Sequence, residues 1–75
     1  MITVQVIHQQ SGKPWGGRRV SLGLDGLFGR GFTSVEWSDA RGEAHFDTDP
    51  RKGGVYVNGH DVWDGYLEGR VVVYV

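Results

Sequence analysis

Three histidines, His8, His45 and His60, carry the side chains of this 75-residue chain whose ordinary titration range best suits proton transfer or metal ligation. No two of them form an HxH or HxxxH pair. His45 alternates with Glu43 and Asp47, and alternate residues of a strand share one face. Such a row offers a divalent ion a weak seat, but an exposed polar strand face accounts for it equally well, so no metal site is assigned. Asp39, Asp47, Asp49, Asp61 and Asp64 fall in turn-like contexts. Asp47-Thr48-Asp49 supplies oxygens of the kind calcium favours, without the spacing or the closing bidentate glutamate of an EF-hand loop. Aspartate favours turns in any case, because it bonds its own backbone. Gly23, Gly26, Gly29 and Gly31 lead into Phe32 and a further strand. A phosphate cradle would open a helix and carry Gly-Lys-Ser/Thr, so that chemistry is set aside. Ser11, Ser21, Ser34 and Ser38 lie outside any nucleophile elbow, and there is no cysteine. No catalytic residue and no cofactor is expected.

The aromatic residues point to binding instead. Trp15 stands in a turn-rich segment, and Trp63 and Tyr66 stand in the loop-like run His60-Asp-Val-Trp-Asp-Gly-Tyr66. Such residues stack on sugar rings, anchor a protein interface or cap the open end of a small core. Trp37, in step with Val35, is expected in the core. Tyr56, Val72 and Tyr74 fall opposite the apolar faces of their strands, and together they form a candidate outward patch. The sequence ends within an apolar strand that has no proline or charged tail to block edge pairing.

Eight basic and nine acidic residues give a net charge of −1, with only Arg18-Arg19 and Arg51-Lys52 adjacent. A nucleic-acid binder gathers a positive excess on one face, so nucleic acid is not an expected partner. No apolar run approaches the ~20 residues of a membrane span, and no signal peptide opens the sequence. A soluble domain is expected, either cytosolic or excised from a longer exported chain.

Period-two alternation sets the elements. It runs through Ile2, Val4 and Val6, then Val20, Leu22 and Leu24, then Val35 and Trp37, and then Ala44 and Phe46. Val55 and Val57 follow, and Leu67, Val71, Val73 and Val75 close the series. Asp39 and Gly42 suit the ends of a tight turn, which predicts a central hairpin across Thr33–Asp47. Asp47–Gly54 reads as a turn cluster and Asn58-Gly59 as a second hairpin turn. Thirteen glycines argue against helices. The fold class is all-β: one domain spanning 1–75, a small sandwich of about seven mainly antiparallel strands.

Ser11-Gly-Lys-Pro-Trp-Gly-Gly-Arg-Arg-Val20 resembles the "TGxPLxGAxV" opening of carboxypeptidase-regulatory-like and transthyretin-like (prealbumin-type) domains. Ser38-Asp39 with Gly42-Glu-Ala-His-Phe46 is similar to the family's "TDxxGxaxF" hairpin. Gly53-Gly-Val-Tyr-Val57 and Gly69-Arg-Val-Val-Val-Tyr-Val75 resemble two of its strands. The resemblance implies a prealbumin-like sandwich with an accessory, non-enzymatic role. The Tyr-Arg-Gly-Ser signature of the family's hydroxyisourate hydrolases is absent. The expected function is protein–protein interaction or self-association through Tyr56, Val72, Tyr74, Trp15 and Trp63. The alternative is carbohydrate or small-ligand binding through Trp63, Tyr66 and neighbouring carboxylates.

Overall fold

The computed structural model describes all residues, Met1–Val75, as eight strands in two stacked sheets. They are β1 (Ile2–Ile7), β2 (Arg19–Gly26), β3 (Gly29–Phe32), β4 (Glu36–Trp37), β5 (Glu43–Phe46), β6 (Arg51–Val57), β7 (His60–Leu67) and β8 (Arg70–Tyr74). The smaller sheet has the order β5-β1-β8, and the larger runs β3-β2-β6-β7 with β4 also paired to β2. All neighbours are antiparallel except β1 and β8. There is no helix, and therefore none long and apolar enough to cross a membrane.

Alternation decides which face each strand buries. Ile2, Val4 and Val6 of β1 are fully buried, as are Val20 and Leu22 of β2, Val55 of β6 and Leu67 of β7. Ala44, Phe46, Val57, Val71 and Val73 complete one continuous apolar layer between the sheets. Trp15, Leu24, Val62, Trp63 and Val75 are partly buried and pack against it.

The Thr33–Asp47 stretch departs from the expected hairpin. Its two runs join different sheets: β4 pairs with β2, whereas β5 pairs with β1. The turn itself forms as its residues dictate. Asp39 Oδ1 accepts the backbone N–H groups of Arg41 (2.9 Å) and Glu43 (3.0 Å), and Gly42 N–H donates to the Asp39 carbonyl at 2.8 Å. Gly42 has φ +74°, and a side chain there would collide with the Val6 carbonyl. Ser38, buried just before the turn, donates to the Trp15 carbonyl (2.9 Å) and accepts from Arg18 N–H (2.9 Å). The chain is thereby pinned at the edge of one sheet and released towards the other.

Trp37 is consequently not a core residue. The β2–β4 register sets it opposite Arg19 on the outer face, and it is 65% exposed, with Val35 also exposed. The alternation in this run was genuine, but the pattern does not say which side faces the core.

Residues 51–54 and 60–66 also depart from expectation, since both are strand. With Asn58 (φ 52°) and Gly59 (φ 84°) in left-handed conformation between them, β6 and β7 make the longest hairpin of the molecule. A register shift near Tyr56 leaves Val62 as the extra residue of a bulge.

These placements separate core from surface in a way that unfolding reports. Leu22→Ala is expected to cost about 2–5 kcal/mol. Trp37→Ser, despite the larger side chain removed, is expected to stay within about 0.5 kcal/mol. Gly42→Ala is expected to lower stability by more than ~1 kcal/mol, since it combines a strained φ with a backbone collision. Urea midpoints of the three variants check this ordering.

Candidate functional site

Three surface features gather polar and aromatic side chains that the core does not use. The first lies on the outer face of the larger sheet. Gly23 and Gly54 are paired neighbours on β2 and β6, and they leave a bare patch in the middle of the sheet. Arg30 of β3 lies across it. A side chain on Gly23 would meet the Arg30 and Tyr56 side chains, and one on Gly54 would meet Arg30 and Asp64. Arg30 Nε donates to Asp25 Oδ1 at 2.7 Å, and Nη1 donates to Tyr56 Oη at 3.0 Å. Nη1 also pairs with Asp64 at 2.9 Å and lies 3.7 Å from Asp61. Phe32 meets the Tyr56 ring edge-on at 5.0 Å between centroids.

The electrostatics follow from this geometry. The hydrogen bond from Arg30 holds the Asp25 carboxyl below its ordinary value, and the Arg30 guanidinium is held more firmly protonated by Asp25, Tyr56 and Asp64. Asp61 moves the other way, because it shares a hydrogen bond with the Asp64 carboxylate.

The second feature is the free side of β8. In the smaller sheet β8 is bonded only to β1. Thr3 N–H donates to the Gly69 carbonyl, Val75 N–H to the Ile7 carbonyl and Gln9 N–H to the Val75 carbonyl. In a parallel ladder alternate residues turn both backbone groups to the same neighbour. The odd-numbered residues from Gly69 to Val75 therefore face β1, and the N–H and C=O groups of Arg70, Val72 and Tyr74 face outwards. The side chains of the same three residues stand on the outer face of the sheet, Val72 and Tyr74 being 38% and 63% exposed.

The third feature surrounds His45. His45 Nδ1 is 2.9 Å from Thr3 Oγ1, and its Nε2 is 3.7 Å from Glu43 Oε1. Arg70 Nη2 donates to the other oxygen, Glu43 Oε2, at 2.6 Å. Asp39 completes a group whose potential ligand atoms all lie within 4.8 Å of one another. His45 also lines a shallow recess of about 270 Å³, with Thr33, Ser34, Glu36, Phe46, Asp47 and Thr48.

The residues singled out in the sequence are distributed differently from expectation. Tyr56 stands on the larger sheet, and Val72 and Tyr74 stand on the smaller one, so the three do not form one patch. Trp63 and Tyr66 are in a strand rather than a loop, and they point to opposite faces. Trp63 pairs with buried Val55 and packs on the core, whereas Tyr66 pairs with exposed Lys52. Trp15 is half-buried, with the Arg18 guanidinium 4.4 Å from its ring centroid and the His8 ring edge-on at 4.3 Å. Arg30 and Asp39 join the candidate residues only through the contacts they make in the fold. The two glycines at strand-interior positions beside Arg30 were the available signal, since a glycine there marks a close approach.

Compared with protein-family models, with curated proteins and with solved structures, the chain gives no significant match in any of the three.

The carboxylates give the site a defined acid response. Asp39, held low chiefly by the Glu43 backbone N–H, and Asp25 favour the folded state above the ordinary value of 3.8, and that contribution is lost as the pH falls through their lowered values. Asp61, with a raised value, has the opposite sign: its contribution is present at low pH and disappears as the pH rises through that value. Urea midpoints measured against pH are expected to fall below pH 3.8, less steeply in Asp25→Asn. Asp61→Asn is expected to gain most over the parent at neutral pH.

Proposed function

We propose that this chain is a non-enzymatic assembly module that pairs with a second copy of itself along the open edge of β8. The observation that supports this reading is the outward N–H and C=O row of Arg70, Val72 and Tyr74 on a strand that pairs on one side only. An antiparallel β8–β8 pairing with its two-fold axis at Val72 is self-complementary. It sets Val72 against Val72 of the second copy, and Arg70 against Tyr74 of the second copy. All of these residues turn both backbone groups outwards, so each facing pair exchanges two hydrogen bonds. On the exposed face the tyrosine ring of Tyr74 lies beside the side chain of Arg70, whose guanidinium stays with Glu43. Two three-stranded sheets would join into one, and an edge that otherwise invites unspecific pairing would be closed. Pairing along so short a strand buries less than the ~1,000 Å² of a permanent interface, so a concentration-dependent dimer is the expected state.

Kinship to the prealbumin-type sandwiches is part of the same proposal. It is supported by the two-sheet architecture and by the Asp39–Gly42 turn, which forms where the resembling motif puts it. Carbohydrate binding is a second reading, supported by one observation: exposed Tyr66 shares the outer face of the larger sheet with Asp61 and Asp64.

Light scattering coupled to size exclusion across a dilution series tests assembly. The parent is expected to shift from dimer to monomer on dilution. Val72→Pro removes an outward N–H and no ladder bond to β1, so it is expected to stay folded and monomeric throughout. A parent that is monomeric at every concentration, or a Val72→Pro variant that dimerises like the parent, would overturn the proposal.

A further inference from the structure

We propose that Asp39, Glu43 and His45 form a binding site for a divalent transition-metal ion of the zinc type. The site lies on the same sheet as the β8 edge and shares Arg70 with it, through the side chain here and through the backbone there. One imidazole and two carboxylates are a ligand set that such ions accept, with positions left open for water or a small ligand.

What distinguishes this trio from an ordinary polar surface is how each member is held. In every case one atom is tied down by a group outside the trio or by backbone, and the other atom is left for an ion. His45 Nδ1 is engaged by Thr3 Oγ1 at 2.9 Å. With Nδ1–H as the donor, the Nε2 lone pair points towards Glu43. Glu43 Oε2 is held by Arg70 at 2.6 Å, and its Oε1 faces His45. Asp39 Oδ1 is held by two backbone N–H groups, which leaves Oδ2. Outer partners of this kind fix the orientation of metal ligands. The 3.7 Å between Nε2 and Oε1 is close to the roughly 3.4 Å that separates two ligands ~2.1 Å from one tetrahedral ion. A carboxylate oxygen of Asp39 lies within 4.8 Å of a ligand atom on each of the other two.

The surroundings suit a cation. Beyond His45 lies the recess that also carries Glu36 and Asp47. Arg70 offsets part of this negative charge while holding Glu43 in place, so moderate rather than tight affinity is expected. The backbone supports the same geometry: His45 and Glu43 sit on β5 in register with Thr3 and Gln5 of β1, and Asp39 is fixed by its own turn.

Titration of the untagged protein with Zn²⁺ tests this, followed by NMR of the three histidine side chains. Saturable shifts confined to His45, with one ion bound per chain, are the expected result. Asp39→Asn and His45→Ala are expected to abolish this binding, while His8→Ala and His60→Ala leave it intact. Thr3→Val, which removes only the group engaging Nδ1, is expected to weaken binding about 10–100-fold. Shifts centred on His8 or His60, unchanged binding in His45→Ala, or no saturable binding up to millimolar Zn²⁺ would each overturn the proposal. Amide spectra of each variant establish that the fold is retained, and Thr3→Val keeps the test decisive if a ligand variant unfolds.

Discussion

The structure depends on the burial of β1. Its alternate residues Ile2, Val4 and Val6 are fully excluded from solvent and pack against β2 and β6 of the facing sheet. With no disulfide available, this apolar layer is the main source of stability. Because β1 is the middle strand of a three-stranded sheet, it needs a neighbour on each side. β5 supplies one and β8 the other, and both must be delivered from the larger sheet. The Asp39–Gly42 turn carries the chain to β5, and the Gly69 turn carries it from β7 to β8. β8 runs parallel to β1 and, with no strand paired on its other side, forms an edge of the sheet.

The surface inherits its features from that arrangement. A three-stranded sheet has two edges, and the β8 edge lies beside outward-facing Val72 and Tyr74. The turn that delivers β5 places Asp39 next to Glu43 and His45, two residues that the alternation of β5 had already put on the outer face. On the larger sheet the pairing of Gly23 with Gly54 opens the space that Arg30 occupies, and Arg30 in turn organises Asp25, Tyr56 and Asp64. The β8 edge and the His45 group need no departure from ordinary strand geometry, whereas the Arg30 cluster needs the glycine pair and the bulge at Val62 that puts Asp61 and Asp64 on one face.

Much of the fold was legible in the sequence where a local pattern has a single physical meaning. Alternation in β1, β2 and β8 identified the buried faces, and Asn58-Gly59 marked its hairpin. Where a pattern has two meanings, it does not decide the structure. Val35 and Trp37 alternate correctly but face solvent, because pairing with β2 rather than packing preference decides their side. Gly53 and Gly54 suggested a turn, yet they lie mid-strand where neighbouring groups approach too closely for a side chain. The meeting of Arg30 with Asp64 depends on strands distant in sequence, and that of Asp39 with His45 on the detailed geometry of one turn, so neither shows in the alternation. The row expected at Glu43, His45 and Asp47 is replaced by one in which Asp39 takes the third place, while Asp47 lines the recess on the other side of His45.

The proposed closing of the β8 edge by a second copy can be followed residue by residue through amide hydrogen exchange along β8. At low protein concentration Val71, Val73 and Val75 should be protected by β1, while Arg70, Val72 and Tyr74 exchange freely. At high concentration protection should spread to Arg70, Val72 and Tyr74 and to no other exposed amide. Free exchange of those three amides at every concentration, or concentration-dependent protection at β3 or β7 instead, would contradict it.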